Sequence, residues 1–175
     1  MPEKTELHEA ALAGDTEKAL ALIQAGADLE AKFQGRTALH LAAGEGKTET
    51  VLALAKAGAD LEAKDDVGWR PLHNAARSSV YNADTQELEF VSTETALALV
   101  KAGADLEART DVGSTPLSSA AEAGNTETAL ALVQAGADLE VKELAGRTVV
   151  EMALKQGNVE TAQALVDAGA PMPDK

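Results

Sequence analysis

The chain has 175 residues, enough for one compact domain. Its formal charge of −14 argues against a nucleic-acid partner, which needs a basic footprint, and the absence of cysteine removes disulfides and thiolate metal sites. No run of about 18 apolar residues is present to span a bilayer and Met1 to Glu6 lack a signal core, so the expectation is a cytoplasmic protein away from membranes, with a mature periplasmic or exported fragment as the alternative.

The first pattern is a repeat. The string Ala-Gly-Ala-Asp-Leu-Glu stands unchanged at 25–30, 57–62, 102–107 and 135–140, and a broken copy begins at Ala168. Its glycines, Gly26, Gly58, Gly103, Gly136 and Gly169, are spaced 32, 45, 33 and 33 apart. A fixed period in the thirties means one small unit stacked repeatedly. Units are expected at about 3–34, 35–67, 68–112, 113–145 and 146–175. Together they would form a single domain.

Taken in order, each unit predicts two helices. The first unit opens with Thr5-Glu6-Leu7-His8-Glu9-Ala10-Ala11, where Glu9 suits an end unit that faces water. Later units open at Gly35, Gly68, Gly113 and Gly146, which suit a tight turn with positive φ. Pro71 and Pro116 then fit the first turn of a helix, where a missing N–H costs nothing. The second helices read TEKALALIQ, TETVLALAK, TETALALVK, TETALALVQ and VETAQALVD. Leu20, Leu52, Leu97 and Leu130, each with the apolar residue three positions on, suggest their inward face. Asp15, Ser92, Asn125 and Asn158 suit N-caps, and Lys47 is a poor one. The glycine after each second helix suits a left-handed C-cap. Gln163 in place of a leucine and Glu151 in place of a histidine mark the last unit as the other cap.

Gly-x-Thr-Pro-Leu-His, then Ala-Ala, a second helix and Gly-Ala-Asp resembles the ankyrin repeat. The match recurs in every unit, with Arg70 departing from the usual threonine and Ser118 from the usual histidine. The resemblance implies an all-α solenoid of stacked helix-turn-helix units with β-turn fingers. It also implies a monomeric protein that binds another protein and is not an enzyme. The even, alanine-rich repeats look bacterial.

The spacing of 45 marks an insertion. Four residues separate Ala43 from Thr48, and sixteen, Arg77 to Ser92, separate Ala76 from Thr93. Val80-Tyr81 and Leu88 to Val91 can pair as a hairpin around Asn82-Ala83-Asp84. Alternatively Asp84 caps a longer second helix, with Glu87 closing a capping box. The reading favours an ordered loop with some helical extension.

Phe33, Trp69, Tyr81 and Phe90 are the four aromatics, and none belongs to the repeated core pattern. The arginines, Arg36, Arg70, Arg77, Arg109 and Arg147, fall in fingers, on first helices or at the start of the insertion. Aromatic residues and arginine dominate interface hot spots. The ankyrin resemblance places variable, partner-facing positions at Phe33, Gln34, Arg36, Glu45, Asp66, Val67, Trp69, Arg77, Asp111, Val112 and Ser114. Tyr81 and Phe90 join them from the insertion. Arg109 is set aside because it only replaces Lys32, Lys64 and Lys142.

Catalytic and metal chemistry find little purchase. His8, His40 and His73 hold one slot of the repeat. Stacked helices lie roughly 8–10 Å apart, too far for one zinc ion. A hydrogen bond to the neighbouring finger's backbone is the expected role. Asp28-x-Glu30 and its copies recur in four units and so serve the loop. No cofactor is implied. The leading function is partner binding through the concave finger face and residues 77–92, possible forms being an inhibitor or immunity protein of a partner enzyme. The alternative is a small-molecule binder or minor enzyme with the insertion as a lid.

Overall fold

The computed structural model describes residues 3–82, 87–89 and 93–172, with backbone alone for 80–82 and 87–89. Ten helices lie among the described residues: α1 Glu6–Ala13, α2 Thr16–Gln24, α3 Ala38–Gly44, α4 Thr48–Lys56, α5 Pro71–Arg77, α6 Thr93–Ala102, α7 Pro116–Ala123, α8 Thr126–Gln134, α9 Val149–Lys155 and α10 Val159–Asp167. Each is too short to hold its shape alone in water, so packing must supply the stability. The odd-numbered helices stack on one another in one layer and the even-numbered helices in a second, each pair antiparallel. The architecture is an all-α solenoid.

Local chemistry sets each start and stop. Thr5, Thr37, Thr115 and Thr148 cap the first helices, each hydroxyl accepting an N–H from the third helical residue. Arg70 takes that place before α5 and makes no side-chain cap. Asp15 and Asn125 cap α2 and α8 as expected, and Lys47 makes no side-chain cap. Asn158 departs from expectation: its amide donates to the carbonyls of Ala121 and Glu122 at the end of α7. Ser92 lies outside the described residues. At the C-termini Gly26 has φ +85 and the Ala27 N–H reaches back to Leu22 O at 3.0 Å, a Schellman closure.

The core is built from small and branched residues between units. Ala10, Ala11, Ala42, Ala43, Ala75, Ala76, Ala120 and Ala121 are buried on the first helices and let neighbouring backbones approach closely. The inward face of the second helices corrects the sequence reading. Leu20 and Leu52 point outward at 42% and 47% exposure, and Leu97 and Leu130 are half-buried. The buried stripe is Ala19, Val51, Ala96, Ala129 and Ala162 with Leu54, Leu99, Leu132 and Leu165. Gln163 therefore fills a slot that faces outward in other units too.

A row of threonine pairs joins the second helices. Thr16 meets Thr50, Thr48 meets Thr95, Thr93 meets Thr128 and Thr126 meets Thr161, oxygen to oxygen at 2.7–2.8 Å. The first threonine of each Thr-Glu-Thr thus faces the next unit and the third faces the previous one. The two ladder positions with no partner unit in this chain hold Lys18 and Val159.

The insertion corrects a second expectation. Val80–Asn82 (β1) pairs antiparallel with Glu87–Glu89 (β2), with Tyr81 opposite Leu88. Glu87 is in a strand, so no helix capped by Asp84 forms, and α6 begins at Thr93. The hairpin leaves α5 two residues beyond its last turn. Phe90 and residues 83–86 lie outside the described residues.

Candidate functional site

The fingers and first helices form one face, and repeated residues hold it in shape. The first finger is a two-residue turn: Phe33 and Arg36 exchange N–H···O bonds of 2.9 and 3.1 Å. Gln34 at φ +50 and Gly35 at φ +75 supply the two positive φ values such a turn demands. The second finger is longer, and Asp65 Oδ1 accepts from Val67 N and Trp69 N at 3.0 and 2.8 Å, which is turn chemistry. Asp66 packs against the finger before it. A Cβ on Gly35 would lie 2.3 Å from Asp66 Cγ, so glycine is required there by contact as well as by φ.

The histidines lock fingers to helices, as the sequence suggests. His40 Nε2 donates to Trp69 O at 3.1 Å, and His73 Nε2 donates to Ser114 O at 3.1 Å. His8 Nε2 lies 3.0 Å from Ala31 O and 3.2 Å from Arg36 O. On the other ring edge Nδ1 accepts the N–H of Thr5, Thr37 or Arg70. Both nitrogens are therefore used by the neutral ring. Burial pushes His73 down to about 4, against the hydrogen bond to Ser114, and lowers His40 for the same reason. Where the array lacks this histidine, Glu151 takes the Thr148 N–H at 2.7 Å in a capping box, and Ser118 reaches only Thr115.

The paired carboxylates also serve the scaffold. Asp28 Oδ1 accepts Glu30 N, and Glu30 Oε1 accepts Asp60 N in the next unit, at 2.9 and 2.8 Å. The same two bonds recur from Glu62 to Asp105 and from Glu107 to Asp138. The row stops at Glu140, because Pro171 stands where the next unit would offer an N–H. Among the described residues no group of histidines and carboxylates is placed to hold a metal ion.

What remains on the finger face is a groove. A cavity of about 410 Å³ is lined by Phe33, Gln34, Arg36, Glu45, Trp69 and Arg77, with Leu12, Leu41, Asn74, Ser78 and Ser79. Trp69 also walls a second cavity of about 340 Å³, shared with Val112, Ser114, Ser119, Glu122, Leu144 and Arg147. The Arg77 guanidinium lies over the Trp69 ring, 5.0 Å from its centroid. Phe33 leans edge-on to His8 at 6.0 Å.

The structure thus brings six of the sequence-derived positions, Phe33, Gln34, Arg36, Glu45, Trp69 and Arg77, to one cavity. Val112 and Ser114 fall in the adjoining one, where Ser114 is only 7% exposed. Asp66 and Asp111 stand on the outer finger surface, each beside the glycine of the preceding finger. Val67 is 58% exposed there, and its carbonyl accepts Asp111 N. The Tyr81 backbone is in β1 and its side chain, like Phe90, lies outside the described residues. Arg109 donates to Lys142 O, the finger-bracing role that Lys32 fills toward Lys64 O. Sequence reasoning missed Leu144, 79% exposed at the tip of the last finger. Val67 and Val112, apolar at the other tips, were the available signal.

A family model for ankyrin repeats in three copies matches the chain twice, over residues 7–88 and 87–175. With the stacked helix pairs, the glycine-turned fingers and the groove between them, this places the chain in the ankyrin-repeat family. Members of that family are in general modules that bind other proteins. A search of curated protein sequences finds no significant match to the chain. No helix among the described residues is long and apolar enough to cross a membrane.

Proposed function

We propose that the chain is a non-enzymatic binding module whose concave groove, centred on Trp69, holds a partner protein. The observation that carries this reading is the convergence of Phe33, Gln34, Arg36, Trp69 and Arg77 on one cavity. Four of the five recur in no other unit and Arg36 recurs only as Arg147, and aromatic and arginine side chains in a half-buried setting suit an interface anchor. Ser78 and Ser79 wall the cavity and lead directly into β1, so the hairpin rises from the cavity's rim. That position supports a specific form: an inhibitor or immunity protein that presents the hairpin to an enzyme's site while the groove grips its surface.

The test replaces residues 77–92 with Gly-Glu-Gly-Lys, the α3–α4 connection at 44–47. Stability in a repeat array is nearest-neighbour, so the shortened protein should fold. Its affinity for a partner purified on the full chain should fall by about tenfold or more. Unchanged affinity in a folded variant would remove the insertion from the binding surface. The first cavity's volume lies in the small-ligand range, which favours a second reading with the insertion as a lid. A metabolite that raises the melting temperature would support that alternative.

A further inference from the structure

The five arginines differ in what holds them. Arg70 donates to Arg109 O at 2.8 Å and stands 2.8 Å from Glu62 Oε2. Arg109 donates to the carbonyls of Gly113 and Lys142. Arg147 is clasped by Glu143. These three are spent on bracing fingers. Arg36 has no side-chain hydrogen bond or ion pair among the described residues. Arg77 lies over Trp69, and its nearest carboxylate, Glu122, is a loose 3.7 Å away. In a chain with 29 acidic against 15 basic residues, an uncommitted arginine is unexpected. Arg36 and the loosely paired Arg77 line the same cavity.

The cavity holds two further unspent polar groups. Ser78 is 4% exposed, and its Oγ is buried without a hydrogen-bond partner. Asn74 Oδ1 is likewise buried and unpartnered. Asn74 fills a slot that holds Glu9, Leu41, Ser119 and Met152 in the other units, so this position varies along the array. Buried polar groups are normally paired, so these two need an explanation, and both residues line one cavity. The Ser78 hydroxyl can donate, whereas the unpartnered Asn74 Oδ1 only accepts and does not favour an anion; two guanidinium forks suit a carboxylate's paired oxygens.

We infer that this cavity receives the carboxylate of an aspartate or glutamate side chain on the partner protein. The inference rests on the groove reading and adds the chemistry of the anchor. One group opposes it: Glu45, exposed at the cavity wall, repels an incoming carboxylate. The whole-chain charge of −14 also repels an acidic protein at long range. Screening limits such fields to about 8 Å at physiological salt, whereas the cavity acts at contact. The partner is thus a neutral or basic surface that carries an acidic side chain where it meets the groove.

The test follows six side-chain N–H signals by NMR, the five arginine Nε–H groups and the indole of the sole tryptophan. The probes are Ac-Lys-Ala-Asp-Ala-Lys-NH2 and the same peptide with asparagine at the centre. With the aspartate peptide Arg36 and Arg77 should move and saturate, while Arg70, Arg109 and Arg147 stay. With the asparagine peptide none of the five should move. Arg36→Gln should weaken the aspartate peptide about tenfold, and Glu45→Gln should tighten it about threefold. If the indole moves equally with both peptides and the arginines are silent, the carboxylate site is overturned and the groove stands. Silence of all six signals counts against both.

Discussion

The loop edge and the finger face of the molecule are built from the same number of units yet obey opposite rules. Along the loop edge the first three units repeat two bonds, an aspartate onto its own turn and a glutamate onto the next unit's aspartate N–H. Along the finger face the residue before the first-helix cap is Arg36, Trp69, Ser114 and, with arginine returning, Arg147. Repeated residues close bonds between neighbours. Departing residues such as Trp69 and Arg77 line cavities, whereas Arg70 braces the next finger. In an array whose units touch only their neighbours, a repeated residue is there for the interface between units, and a departure is free to serve something else.

The largest expected effect tests the corrected helix face. Leu99 is fully buried, so Leu99→Ala should cost about 2–5 kcal/mol in urea unfolding. Leu52→Ala, at 47% exposure, should cost less than about 1 kcal/mol. Equal costs would mean that the leucine slots do not differ in kind. Next comes acid sensitivity of the finger lock. His73 and His40 bind protons less readily folded than unfolded, so stability is full above pH 6.5 and is lost as pH falls, for His73 toward about 4. His73 accounts for roughly 3 kcal/mol of that loss. His73→Gln should flatten the fall in stability between pH 7 and pH 4, and an unchanged slope would contradict it. The smallest effect compares two glutamates of one motif. Glu30→Ala should cost about 1 kcal/mol through the lost bond to Asp60 N. Glu140→Ala should cost close to nothing, since Pro171 has no N–H.

Much of the scaffold was legible because identity itself repeats. The glycines, proline starts, histidine locks and paired carboxylates each recur at a fixed spacing, and each took its expected place. The helix face was misread because Leu-Ala-Leu puts two leucines two positions apart. The periodic pair that begins at Leu20 looks as good as the buried one at Ala19, and alanine's small side chain hides its burial. The insertion was misread because sixteen residues hold no periodicity long enough to choose between strand and helix. Within the site, Trp69 and Arg77 were legible as departures. That Arg70 is braced while Arg77 lies over an indole depends on where Glu62 and Arg109 O come to rest, and no local pattern contains that. Ser114 stands at a variable position yet is buried beneath the fourth finger, so variability marked its slot without revealing its exposure.

The central claim, that departing residues bind and repeated residues build, is tested most directly by returning the groove to the repeat. Trp69→Ser with Arg77→Glu installs the side chains of Ser114 and Glu122 at the equivalent third-unit positions. The variant should unfold in urea within about 0.5 kcal/mol of the parent, and it should lose affinity for the purified partner by more than about 100-fold. A variant that binds the partner as the parent does, or that loses stability along with binding, would contradict the account.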